Sequence, residues 1–145
     1  MMEKITKLRE LMARQGLDAY LQPVHDEWMS EYPPACNRRV EWLTDFSGSA
    51  GLVVLLANKA AIFVDGRYTL QAAKQVSSDY EVFNSSDVMP QNWLAQQFQN
   101  DAKIGYDSRL YTRAMLDKFK KFSVVPTPNL IDELWENRPS KPATK

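Results

Sequence analysis

Two apolar runs lie almost back to back in this chain, "GLVVLLA" at 51–57 and "AAIFV" at 60–64, with only Asn58-Lys59 between them. Neither run alternates with polar residues. Both faces of each segment are apolar, as in strands at the middle of a sheet covered on both sides. Two intervening residues leave no room for a crossover, so the runs predict an antiparallel hairpin, with Asn tolerating the positive φ that tight hairpin turns use. A fold for this chain must therefore supply apolar layers above and below a central pair of strands.

The flanking sequence supplies them by alternation. Ile5, Leu8, Leu11 and Met12 share one helical face, Gly16 is a natural C-terminal stop, and Leu17 packs behind it. "DAYLQP" reads as a short buried strand ended by Pro23. Residues 24–39 hold His25, Pro33, Pro34 and several acids and read as an irregular connection, and Arg38 to Phe46 as a short helix with Val40 and Leu43 inward. After the hairpin, Asp65 is placed to N-cap a helix carrying Tyr68, Leu70, Ala73 and Val76. "YEVFNS", "AKIGYD" and "SVVPTP" then read as strands, alternating with helices at "MPQNWLAQQFQ", "TRAMLDKFKKF" and "NLIDELWEN". This pattern predicts an α/β domain with a mixed β-sheet flanked by helices on both faces. No internal repeat is present. The close "RPSKPATK" has linker composition, which sets a domain at 1–137 and a linker at 138–145 leading toward further domains.

Charge and cysteine content exclude some partners. Eighteen basic and eighteen acidic residues cancel, so nothing electrostatic favours nucleic acid or an anionic membrane. Cys36 is the only cysteine, which excludes an internal disulfide and fits a reducing compartment. No apolar run approaches the roughly 20 residues of a membrane helix. The N-terminus is too charged for a secretory signal, and a cytoplasmic location is expected.

Several constellations invite chemistry and then withhold it. Ser47-Gly48-Ser49-Ala50-Gly51 resembles an anion cradle in composition, yet it runs into a strand rather than a helix and no Gly-Lys-Ser/Thr follows. A tight turn with close backbone approach is the simpler reading. His25 is the only histidine, so with Cys36 it cannot complete a zinc set. Asp65 and Asp107 each follow a strand, the placement of carboxylates in metal-dependent nucleases, but each also precedes a helix, where an N-cap explains it. Ser47, Ser49 and Cys36 have no local base to activate them. Trp93 and Trp135 fall in helical patterns and are expected buried, Trp42 serves as a core or edge anchor, and Trp28 suits an exposed contact. Arg67 sits in the first turn of its helix, the wrong end of the dipole for a cation. A salt bridge to Asp65 or Glu41 and a contact to an acid on a partner or substrate are both open there.

Together, "FSGSAG", "VDGRYTLQAAKQ", "IGYD" and "LIDELWENRPSKP", with "SEY" and "RRVEWLTDF" upstream, resemble the N-terminal domain of Xaa-Pro aminopeptidases, and more broadly the creatinase/prolidase N-terminal domain. The resemblance covers nearly the whole chain. It implies a ribonuclease-H-like motif in the sheet and a non-catalytic role, capping a separate C-terminal catalytic domain that holds two divalent metal ions, usually manganese. It implies no cofactor, metal or catalytic residue in this chain. The partners implied are the protein's own C-terminal catalytic domain and a peptide substrate with proline second, with a monomeric isolated domain and a dimeric full-length protein. By the same resemblance Arg67, Glu31, Gly48 and Ser49 fall at the rim of the substrate cleft. Relatives often carry Asp where Ser47 stands, which sets Ser47 apart. Two other readings compete, a stand-alone interaction domain of the same fold and a metal-dependent nuclease using Asp65 and Asp107.

Overall fold

The computed structural model describes residues 2–25, 38–48, 51–76, 79–98, 102–119 and 122–135. Trp28, Glu31, Cys36, Ser49 and the expected linker at 138–145 lie outside them. Among the described residues the order is α1 (Met2–Arg14), β1 (Ala19–Pro23), α2 (Arg39–Thr44), β2 (Leu52–Leu56), β3 (Ala60–Val64), α3 (Thr69–Gln75), β4 (Glu81–Asn84), α4 (Pro90–Gln97), β5 (Lys103–Tyr106), α5 (Arg113–Asp117), β6 (Ser123–Pro126) and α6 (Leu130–Leu134).

The strands form one six-stranded sheet in the order β4-β3-β2-β1-β5-β6. The expected hairpin is there, with Leu52 opposite Phe63 and Leu55 opposite Ala60. β2 is antiparallel to both neighbours, while β1–β5, β3–β4 and β5–β6 are parallel. Five strands therefore end on one edge of the sheet, where β2 alone begins.

Period-2 alternation divides the side chains between two cores. Tyr20, Leu55, Ala60 and Ile62 face one cluster with Ile5, Leu8 and Met12 of α1, Val40 of α2, Ala72 of α3 and Ile131 of α6. Leu21, Val54, Ala61 and Phe63 face the other, with Trp93 and Leu94 of α4 and with Phe119 and Phe122 after α5. Gly16, at φ +69°, ends α1 as the sequence predicts, and Leu17 N–H returns to Met12 C=O at 2.9 Å.

Four local expectations are corrected. The hairpin turn needs no positive φ at Asn58; among the described non-glycine residues only Asp45 has one, at the C-terminus of α2. A single 3-10 turn at Gly66–Tyr68 precedes α3 and rotates its inward face, so Ala72 is buried and Leu70 is exposed. α5 stops at Asp117, because Phe119 and Phe122 both turn into the core through a Phe122 N–H bond to Phe119 C=O. Trp135 is only partly buried, stacked on Trp42 with ring centroids 5.6 Å apart.

Candidate functional site

Open α/β sheets bind ligands outside the carboxyl ends of their parallel strands. Here that edge gathers Val24-His25 after β1, Asp65-Gly66-Arg67 after β3, Ser85 after β4, Asp107-Ser108-Arg109 after β5 and Thr127-Pro128-Asn129 after β6.

The Asp65 turn is shaped by its own carboxylate. Asp65 Oδ1 accepts from Arg67 N–H at 2.9 Å and from Arg67 Nε at 3.3 Å. The Arg67 N–H bond, and after it the guanidinium, hold the Asp65 carboxyl below the usual carboxylate range. The pair stays in solvent, with the Arg67 side chain 69% exposed. The guanidinium lies 5.3 Å from the Tyr68 ring centroid. Tyr68 in turn meets Phe46 edge-to-face at 5.9 Å. A Cβ at Gly48 would overlap that Phe46 ring, so only glycine lets the loop cross it. Gly48 and Arg67, two of the predicted rim residues, therefore belong to one patch joined by the Phe46–Tyr68 pair. The other two, Glu31 and Ser49, are outside the described residues.

Ser47 is a clasp. Its Oγ accepts from Gln71 Nε2 at 3.1 Å and Gln75 Nε2 at 3.0 Å, and its N–H donates to Gln75 Oε1 at 2.9 Å. His25, the base it would need as a nucleophile, bonds Leu110 C=O at 2.6 Å instead. Of the two acids predicted for Arg67, Asp65 is the partner; Glu41 lies 3.6 Å from Arg38.

At the other end of the edge stands a polar network that the sequence does not announce. Asp107 is 4% exposed and binds Arg109 through Nε at 3.1 Å and Nη2 at 2.7 Å. Asn129 Nδ2 bridges Asp107 Oδ2 and Gln22 Oε1, both at 3.0 Å, while its Oδ1 caps α6 through the N–H groups of Ile131 and Asp132. Asp132 holds Arg39, whose side chain is fully buried, through two bonds of 2.7 and 3.1 Å. Burial alone would push the Asp107 carboxyl up, but the bonds from Arg109 and Asn129 outweigh it and hold the group below its ordinary range. A cavity of about 450 Å³ opens beside this network, between Asp107, Arg109, Asn129 and Asp132.

The two acids of the nuclease reading are thus kept apart. β2 and β1 lie between β3 and β5, which sets the Asp65 and Asp107 strands about 14 Å apart at the usual inter-strand spacing. Each carboxylate is also neutralised by its own arginine. Among the described residues, no three His, Cys, Asp or Glu side chains come together as a metal ion needs.

A second cavity, of about 310 Å³, opens nearer the middle of the edge, between Pro23, Leu52, Met89, Tyr111, Met115 and Phe119. The Tyr111 hydroxyl is buried with no hydrogen-bond partner among the described residues, and burial raises its pKa well above the ordinary value.

The fold defines an α/β domain with a mixed sheet flanked by helices and a partly charged strand-carboxyl edge. Residues 4–134 match the Creatinase/Prolidase N-terminal domain model, and the chain belongs to that family. It is 35% identical to a probable Xaa-Pro aminopeptidase P of Penicillium rubens, across 99% of this chain and 25% of the relative. The crystal structure of an X-prolyl aminopeptidase from Caenorhabditis elegans, described as a cytosolic enzyme with a di-nuclear active site, superposes with a TM-score of 0.87 at 33% identity, over 96% of this chain and 26% of that one. The isolated N-terminal domain of the cytoplasmic peptidase PepQ from Mycobacterium tuberculosis matches with a TM-score of 0.68 at 28% identity, over 91% of this chain and 98% of that domain. The chain spans about a quarter of the length of the curated relatives it matches and corresponds to their N-terminal domain. Among the described residues, no helix is long and apolar enough to cross a membrane.

Proposed function

We propose that this chain is the non-catalytic N-terminal domain of a metal-dependent, cytoplasmic Xaa-Pro aminopeptidase, an enzyme that releases the first residue from peptides with proline second. Its strand-carboxyl edge caps the active-site cleft of the protein's own downstream catalytic domain. The observation that carries the reading is the match of almost the whole chain to one quarter of Xaa-Pro aminopeptidases. Two divalent metal ions, manganese by resemblance, belong to the downstream domain in this reading. The described residues of this chain do not offer their donor set, and no step runs through a metal held here.

The chain's own contribution is shape and charge. A rim closed over a cleft excludes water and restricts which peptides enter. Arg67 and Gly48 form that rim, with Glu31 and Ser49 assigned to it by resemblance. Asp65 holds Arg67 by its backbone and Nε, leaving the terminal guanidinium nitrogens directed to a carboxylate or carbonyl across the cleft. Residues 138–145 serve as the linker, and dimerisation belongs to the downstream part, with this domain alone monomeric.

The test mixes this chain with the separately produced remainder of the protein and follows turnover of a proline-second peptide with manganese present. The chain alone is expected to be inactive and the mixture active, with Arg67→Ala lowering kcat/KM about tenfold, a change of about 1.4 kcal/mol in transition-state binding. Turnover by the pure chain refutes the non-catalytic role. A remainder whose activity is indifferent to this domain refutes the cap.

A further inference from the structure

We infer that the cavity between α4 and α5 at the strand-carboxyl edge binds an apolar carboxylate, its body against Met89, Met115 and Phe119 and its anionic group at Lys118. The site shares no residue with the Arg67–Gly48 patch and does not depend on the capping role.

The cavity measures about 310 Å³, at the small end of ligand pockets. Such a volume suits a single aliphatic or aromatic group rather than an extended peptide. Pro23 at the end of β1, Pro90 at the start of α4 and the Phe119 and Tyr111 rings give it rigid walls. Met89 and Met115 give it adaptable ones, since an unbranched thioether repacks around differently shaped groups. Met89 is 47% exposed, a large apolar side chain left in water at this cavity. A ligand seated there would cover it.

Charge selects the rest of the ligand. Among the described residues the lining carries a lysine and a histidine and no aspartate or glutamate, so an entering carboxylate meets no opposing acid among them. His25 is already committed: its Nε2 lies 2.6 Å from Leu110 C=O. A carbonyl oxygen only accepts, so Nε2 spends its N–H on Leu110. That leaves Lys118 as the anchor. The same chemistry describes the C-terminal residue of a peptide and a free aryl or alkyl acid.

Methionine-methyl NMR of this 145-residue chain tests the site directly, because Met89 and Met115 are two of only six methionines. The probes are 4-phenylbutyrate, its neutral amide, and Ala-Ala-Leu with a free or amidated C-terminus. Saturable shifts of both methyls are expected with the acids at about millimolar concentration. Each amide should bind about fivefold more weakly, the scale of one exposed ion pair. In Lys118→Ala the acid should fall to the affinity of the amide while the amide is unaffected. Shifts with the tripeptide acid alone assign the site to peptide C-termini; shifts with phenylbutyrate as well assign it to apolar acids in general. The absence of saturable shifts with either acid, shifts confined to other methionines, or equal binding of acid and amide would each overturn the inference. No downstream domain is present in this measurement, so its failure is separable from failure of the capping role.

Discussion

After β3 and again after β5 the chain makes the same small turn. In "VDGRY" and "YDSRL" an aspartate accepts the backbone N–H of the arginine two residues on, at 2.9 and 3.0 Å, and the same oxygen takes that arginine's Nε, at 3.3 and 3.1 Å. The surroundings then divide them. Around Asp107, α6 arrives with Asn129 and Asp132, and the turn becomes the centre of a network reaching Gln22 and Arg39. Around Asp65 no comparable element arrives among the described residues, and the arginine stays in solvent over Tyr68. Identical local chemistry thus yields a structural anchor in one place and a presented cation in the other. Stability and function are expected to separate along the same line.

The largest effect is expected at the anchor. Asp107→Ala strips Arg109 of its bidentate partner and Asn129 of an acceptor. It should lower unfolding stability by about 3 kcal/mol in urea titration, the lower end for breaking a buried charged pair because Arg109 keeps half its surface in water. A loss below about 1 kcal/mol would erase the distinction between the two turns.

The next effect is a pH dependence. The Asp107 carboxyl is held below its ordinary 3.8 in the folded chain. A group depressed by folding stabilises above its unfolded pKa, and that stabilisation is lost as pH falls through the folded value. The Tm difference between the unaltered chain and Asp107→Asn should therefore be constant from pH 7 to about 5 and shrink below about 4. A difference that persists unchanged at pH 3 would assign the stabilisation to the shape of the side chain rather than its charge.

How much of this could be read in advance depended on sequence distance. The hairpin, the Gly16 stop and the two aspartate caps are decided within a few residues, and apolar runs or capping spacing reveal them. The split of α3, with Ala72 inward and Leu70 out, is also local, but a 3-10 turn changes the helical phase without a sequence signature. The anchor is different. Asn129 reaches Asp107 across 22 positions and Gln22 across 107, and a single sequence does not report such pairings. The Asp-x-Arg at 65–67 and at 107–109 is the same in both turns and does not tell which of them is buried. The cavity beside Met89 is likewise assembled from β1, β2, α4 and α5, none of which carries a motif for it.

The smallest structural effect should come from the presented cation, and the comparison is sharpest there. Arg67 has its Nε on an exposed carboxylate, an interaction that water and salt weaken, and its guanidinium near the partly buried Tyr68 ring. Arg67→Ala should therefore shift the Tm of this chain by less than about 2 °C, within the range of surface substitutions. The same substitution in the full-length protein is the one expected to reduce turnover of a proline-second peptide. A large Tm shift from Arg67→Ala would place this turn beside the Asp107 anchor as a structural element, and a lost activity would then report misfolding. A neutral Tm with reduced kcat/KM would assign the arginine to the cleft, because a side chain that contributes nothing to its own domain's stability can act only on what lies across from it.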